Sequence, residues 1–242
     1  PHKPKRKKKG SIAKEKGLEP LAIKLLDQNS FDVQSEAAKF IDTEKGVEDN
    51  DQALQGARDI IAETINENAE ARHKIRELFM RKGLVSSKVL KSKEKDQDAS
   101  KYKDYFDWDE GISKIPSHRL LAIRRGEKEG FLAMNISPEI EDALEIIERQ
   151  FLKSNNEAGN EVKTAIKDSY KRLMSVSIET EVRMESKKKA DEDAIVVFAE
   201  NLKQLLMSAP LGQKAVMAVD PGFRTGCKVV CLDKQGKLME FT

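Results

Sequence analysis

The sequence predicts a mainly α protein: an elongated multi-helix region with helix-turn-helix character, a small two-stranded β element, and a β-hairpin near the end. Three observations carry that reading. Apolar residues recur every three or four positions through most of the chain, as at Ile140, Leu144, Ile147 and Phe151. Charged residues make up 36% of the 242 and aromatic residues 5%, which suits solvated amphipathic helices better than an aromatic-rich sandwich or deep ligand pocket. Strand-like apolar runs fall at residues 84–90, 130–136 and in the stretch after 215.

Residues 1–10, PHKPKRKKKG, form a basic arm or linker, because such a block cannot build a core. Lys3, Lys5, Arg6, Lys7, Lys8 and Lys9 are candidates for neutralising nucleic-acid phosphates; a solvated connector explains them equally well. A helical region is expected over 11–210. Ile12, Leu18, Leu21, Ile23, Leu25 and Leu26 give its first apolar surface, with Pro20 suited to a helix first turn, and a short helix over 35–41 follows. Leu54, Ala57, Ile61 and Ile65 mark one longer helix, and Ile75, Leu78 and Phe79 the next, closed by Gly83. These two fit either a helix-turn-helix or a plain helical hairpin.

Residues 84–90 and 130–136 should pair as strands, separated by a charged loop or short exposed helix. Tyr102, Tyr105, Phe106 and Trp108 in that interval suit burial against the pair, or base stacking. Pro116-Ser117 should start a helix that Gly126 stops. Ser137-Pro138 opens another, Asn155–Asn160 breaks it, and a segment from Ser177 to Met207 would span on the order of 45 Å if continuous. Arg119, Arg124, Arg125 and Lys128 near the end of the 117–126 helix have the donor geometry to hold phosphates, or to pair with neighbouring carboxylates.

After Ala215–Val219, Asp220 should sit at a strand end, with Pro221-Gly222 turning the chain into a second strand and Lys234–Lys237 into a third. A strand that ends in a carboxylate is how RNase H-like nucleases begin, since an Asp there binds a divalent metal. Catalysis needs further converging carboxylates, and none can be named, so no catalytic or metal-binding residue is assigned; Asp220 is the metal ligand only if a nuclease reading holds. Cys227 and Cys231, four apart in an extended segment, would lie about 13 Å apart and cannot bridge. A net charge of +2 excludes the uniform field of a histone-like protein. No run reaches membrane-spanning length, and no signal peptide, Walker loop or dinucleotide fingerprint is present. Beginning at Pro1 and ending within a hairpin, the sequence reads as an internal piece of a longer protein.

Four segments resemble, in order, the Tex family of bacterial transcription accessory proteins: KPKRKKKGSIAKEKGLEPLA (Lys3–Ala22), KGVEDNDQALQGARDIIAETI (Lys45–Ile65), KIPSHRLLAIRRGEKEGF (Lys114–Phe131) and VFAENLKQLLMSAPLGQKAVMAVDPGFRTGCK (Val197–Lys228). The resemblance implies a cytoplasmic, nucleic-acid-binding factor with RNA as the favoured ligand. It also implies that residues 211–242 are the first strands of a YqgF-type, RNase H-like domain whose body lies elsewhere. RNA would be held mainly by modules outside this sequence, with transcription or translation machinery as further partners, no membrane and no cofactor. Two alternatives remain open: a metal-dependent RNase H-like or RuvC-like nuclease with Asp220 as its first carboxylate, and a protein-interaction scaffold that touches no nucleic acid.

Overall fold

A computed structural model describes residues 8–222 and 226–242. Lys3, Lys5, Arg6 and Lys7 therefore lie outside the described residues. The chain divides into two units, Pro1–Ala194 and Ile195–Thr242.

In the first unit, local capping sets where helices start. Helices α1 (Lys9–Glu15), α2 (Glu19–Asp27), α3 (Val33–Ala38), α4 (Asn50–Glu67) and α5 (Ala69–Lys82) come first. Carboxylate or amide oxygens of Asp32, Asp49 and Asn68 accept from backbone N–H groups three residues on, satisfying donors the first turns leave open. α4 is the axis of the bundle. It is packed by α1, α2, α3 and the later α8 (Glu157–Asp168), and buries Leu54, Ala57, Ile61 and Ile65 completely or nearly so. Only Asn68 separates α4 from α5, and the solvent face of α5 pairs Lys74 with Glu70 and His73 with Glu77. That face singles out no base-reading set, and α4 is too enclosed to approach a groove.

The strands expected from residues 84–90 and 130–136 pair as β1 (Leu84–Val89) and β3 (Leu132–Ser137), antiparallel, with Val85 opposite Ile136. A third strand, β2 (Asp107–Gly111), joins β1 on its other side, so the sheet runs β2-β1-β3. Its sequence, DWDEG, lacks the aliphatic residues that mark the other two, and its position follows from pairing with β1. Val85, Leu132, Met134 and Ile136 are buried on one face of the sheet.

Helix α6 (Ser117–Lys128) does not stop at Gly126 as expected. Gly126 is a point of close approach: a Cβ there would lie 2.6 Å from Leu132 Cδ1. The left-handed turn that ends the helix belongs to Gly130, at φ 78°. Helix α7 (Ile140–Phe151) follows β3; α8 starts within the expected break at Asn155–Asn160, ahead of its apolar residues Val162 and Ile166, because Asn156 caps it. One π-helical turn, Ser169–Met174, then leads into α9 (Ser175–Leu206). Gln28, left-handed at φ 56° and buried, ties α2 to the α7–α8 connection: its Nε2 donates to the Phe151 carbonyl at 2.7 Å, and its Oε1 accepts from the N–H groups of Lys153 and Ser154.

The second unit holds the end of α9 and the sheet β4 (Val216–Gly222), β5 (Gly226–Leu232) and β6 (Leu238–Phe241), in that order and antiparallel. β4 runs past Asp220 to Gly222, with Asp220 opposite Lys228. Pro221 is compatible with this because β4 is an edge strand, where a missing N–H need break no ladder bond. Asp233 Oδ1 accepts from the N–H groups of Gln235 and Lys237 and so builds the turn into β6. Cys227 and Cys231 are free thiols.

Candidate nucleic-acid interface

Positions 121, 124, 125 and 128 of α6 share one side of the helix, while Leu120 and Ile123 point into the core. That side faces the first part of α9 across a cleft of about 770 Å³, lined by Arg124, Arg125, Lys128 and Lys187, with Glu127, Glu129 and Asp191 between them. The acidic residues are largely engaged. Glu127 receives Arg183, Glu129 receives Lys101 at 2.5 Å, and Asp191 receives Lys187. Arg125 and Lys128 are exposed and, among the described residues, have no ion-pair partner.

Arg124 and Arg183 are the buttress of this cleft rather than its surface. Arg124 is half-buried and donates from Nη1 to the Arg183 carbonyl at 3.1 Å. Burial lowers its pKa, and the neighbouring Arg183 charge lowers it further. Burial would also lower Arg183, but hydrogen bonds and charge from Glu127 and Glu179 outweigh this and hold it above its ordinary value. Arg183 Nη1 reaches the Met134 carbonyl at 2.9 Å, and Glu179 Oε1 accepts from Ile136 N–H at 3.0 Å. The edge of β3 is thus closed by two side chains of α9, which locks α6, α9 and the sheet in one arrangement.

Other residues singled out from the sequence are placed differently. Arg119 pairs with Glu110 at 3.2 Å on the opposite end of α6 from Lys128. Lys8 is exposed and bound to Glu67 at 2.8 Å, a hydrogen bond that raises its pKa; Gly10 N–H donates to Glu63 beside it at 2.7 Å. Lys9 is exposed. These contacts anchor the end of the basic arm on α4 and leave Lys9 open. His118 is exposed at the N-terminal turn of α6, whose Ser117 hydroxyl donates to Asp193 at 2.6 Å.

Asp220 is exposed, and among the described residues no three His, Cys, Asp or Glu side chains gather as metal ligands. Nothing local in the run Lys187-Lys188-Lys189 says that its first residue faces α6. Tyr102, Tyr105, Phe106 and Trp108 pack against the core, with Tyr105 and Trp108 edge to face at 5.8 Å. No helix among the described residues is long and apolar enough to cross a membrane.

A family model described as Tex central region-like matches residues 28–198, and one described as Tex protein YqgF-like domain matches residues 214–242. The uncharacterized protein YdcI of Bacillus subtilis (strain 168) is 40% identical over 242 residues, covering 99% of this chain and 34% of YdcI. The transcriptional accessory protein Tex of Neisseria gonorrhoeae is 35% identical over 248 residues, covering 99% and 32%. The human S1 RNA-binding domain-containing protein 1 is 27% identical over 195 residues, covering 76% and 20%. The chain spans about a third of the length of the bacterial relatives it matches. With the central-region match extending over most of its residues, the chain belongs to the Tex family.

Proposed function

We propose that this chain is the helical scaffold region of a cytoplasmic, nucleic-acid-binding transcription accessory factor, with RNA as its preferred ligand. Its divisions are a basic arm over 1–10, whose last two residues open α1, a helical region over 11–210 with the small β element from 84–90 and 130–136, and the opening strands of an RNase H-like domain over 211–242. The observation that carries the reading is the cleft between α6 and α9, where Arg125 and Lys128, without an ion-pair partner among the described residues, stand beside Lys187. Phosphates have the charge and acceptor geometry to hold two such cations at once. The names of the Neisseria and human relatives, one transcriptional and one RNA-binding, agree with it. Contacts with transcription or translation machinery belong to the same proposal, as do RNA-binding modules beyond this region. No enzymatic role is included.

Fluorescence anisotropy with a short single-stranded RNA, titrated against salt, tests the cleft. Replacing Arg125 and Lys128 by Glu should weaken binding and flatten the log–log salt slope by about 1.4, roughly 0.7 for each lost phosphate contact. An unchanged slope overturns the assignment of these residues. Divalent-metal-dependent RNA or DNA cleavage by the full-length protein, abolished by Asp220→Asn, overturns the non-enzymatic reading.

A further inference from the structure

The β2-β1-β3 sheet has two edges, and among the described residues side chains of α9 engage the backbone of one of them, β3. Across β1 and β2, Val89 N–H donates to the Phe106 carbonyl and Ile112 N–H to the Gly83 carbonyl, both at 2.8 Å. Antiparallel pairing alternates, so Trp108 and Glu110 turn their backbone groups toward β1, and Asp107 and Asp109 turn theirs away. Of the equivalent outward groups of β3, the Met134 carbonyl accepts from Arg183 and the Ile136 N–H donates to Glu179, both of α9. Those of Asp107 and Asp109 have no partner among the described residues, and both residues are exposed.

The side chains along this open edge are sorted. Asp107 and Asp109 lie on the sheet's outer face, opposite Lys88 and Ser86 of β1, and neither has an ion pair among the described residues. Trp108 lies between them on the inner face, half-buried, against Tyr105. Carboxylates on the edge repel a second copy of the same edge, so the feature disfavours self-pairing. A strand with the opposite charge meets no such barrier.

We propose that β2 is a docking edge for an extended cationic peptide segment, which adds as a fourth strand beyond β2. Backbone groups of the segment pair with the free N–H and C=O groups of Asp107 and Asp109. Lys or Arg residues directly opposite Asp107 and Asp109 share their face of the sheet, and the residue between them, opposite Trp108, is apolar. The recognised pattern is therefore basic–apolar–basic in extended conformation. It is a partner site separate from the α6–α9 cleft and does not depend on nucleic-acid binding.

Trp108 is the only tryptophan in the chain and reports on its own edge. A blocked Lys-Val-Lys-Val-Lys peptide, titrated at low salt, should produce a saturable change in tryptophan fluorescence. The same peptide with its central amides N-methylated keeps every charge, loses the donors, and should give no saturation. Asp107→Asn with Asp109→Asn should weaken binding about tenfold through the two lost cross-strand charge pairs. Asp109→Pro should abolish binding while leaving the far-UV circular dichroism unchanged, since only an outward N–H is removed. The proposal is overturned if fluorescence stays flat to about 1 mM peptide, or if the N-methylated peptide binds equally well. It is also overturned if the protein alone self-associates through this edge, seen as a dimer in sedimentation that Asp109→Pro dissociates.

Discussion

Two antiparallel sheets of three strands occur among the described residues, and they differ in what covers them. In β3, buried Leu132, Met134 and Ile136 alternate with exposed Ala133 and Asn135, one face on the core and one in solvent. In β4, Met217, Ala218 and Val219 are all exposed, and so is the whole of β6. Yet Val216–Val219 is apolar on both faces, the pattern of a strand that is covered on both sides. The ladder of the second sheet comes from local turn chemistry, such as Asp233; burial comes from partners distant in sequence. Secondary structure and core are separable, and this chain holds one sheet with both and one with the first alone.

The largest expected effect breaks or keeps that distinction directly. Ile136 is fully buried and Val219 is 53% exposed. Ile136→Ala should cost about 2–5 kcal/mol in chemical denaturation of the first unit. Val219→Ala should stay within about 0.5 kcal/mol. Comparable losses at the two positions would show that the second sheet is covered in solution.

A matched pair of polar residues sharpens the comparison at lower cost. Gln28 Oε1 and Asp233 Oδ1 each accept from two backbone N–H groups of a turn. Gln28 is 4% exposed, so Gln28→Ala leaves the Lys153 and Ser154 N–H groups without their acceptor in a partly buried turn and should cost about 2 kcal/mol. Asp233 is only partly covered and its turn is open to water, so Asp233→Ala should cost about 0.5 kcal/mol and loosen β6 locally. Equal costs would mean that water does not replace the Asp233 bonds.

The helices with clear stripes, α4 and α7 among them, were legible from the sequence because the apolar period is local. The pairing of β1 with β3 was legible too, from two apolar runs. β2 was not: Asp107, Asp109 and Glu110 argue against a strand, and only hydrogen bonding to β1 makes it one. The same limit applies to the cleft. Arg124, Arg125 and Lys128 could be selected as a cationic helix end, but which of them is buttress and which is surface depends on Arg183, 59 residues after Arg124. Gly126 reads locally as a stop and acts as a contact, because its neighbour Leu132 arrives from another strand. Asp220 suggested a metal site from its strand alone, whereas a metal site requires side chains from several elements.

The smallest effect lies in acid. Glu181 of α9 receives Arg76 at 2.6 Å and Arg72 at 2.6 Å from α5. Its pKa is lowered first by the Arg76 hydrogen bond, with the Arg76 charge and Arg72 adding to it against a partial burial cost. A carboxylate depressed in the folded state contributes stability that is fully present above its unfolded pKa, near 4.5, and is lost as pH falls through the lower folded value. Glu181 is 41% exposed, so solvent screens much of this contribution. In acid titrations followed by hydrogen exchange, Glu181→Gln should make α5 and the first half of α9 less dependent on pH below 4.5. The β4-β5-β6 sheet should not respond, because none of the ion pairs among the described residues involves it. A matching response in that sheet would show that the two units share one cooperative transition, and the contrast between the two sheets would then be one of exposure without one of stability.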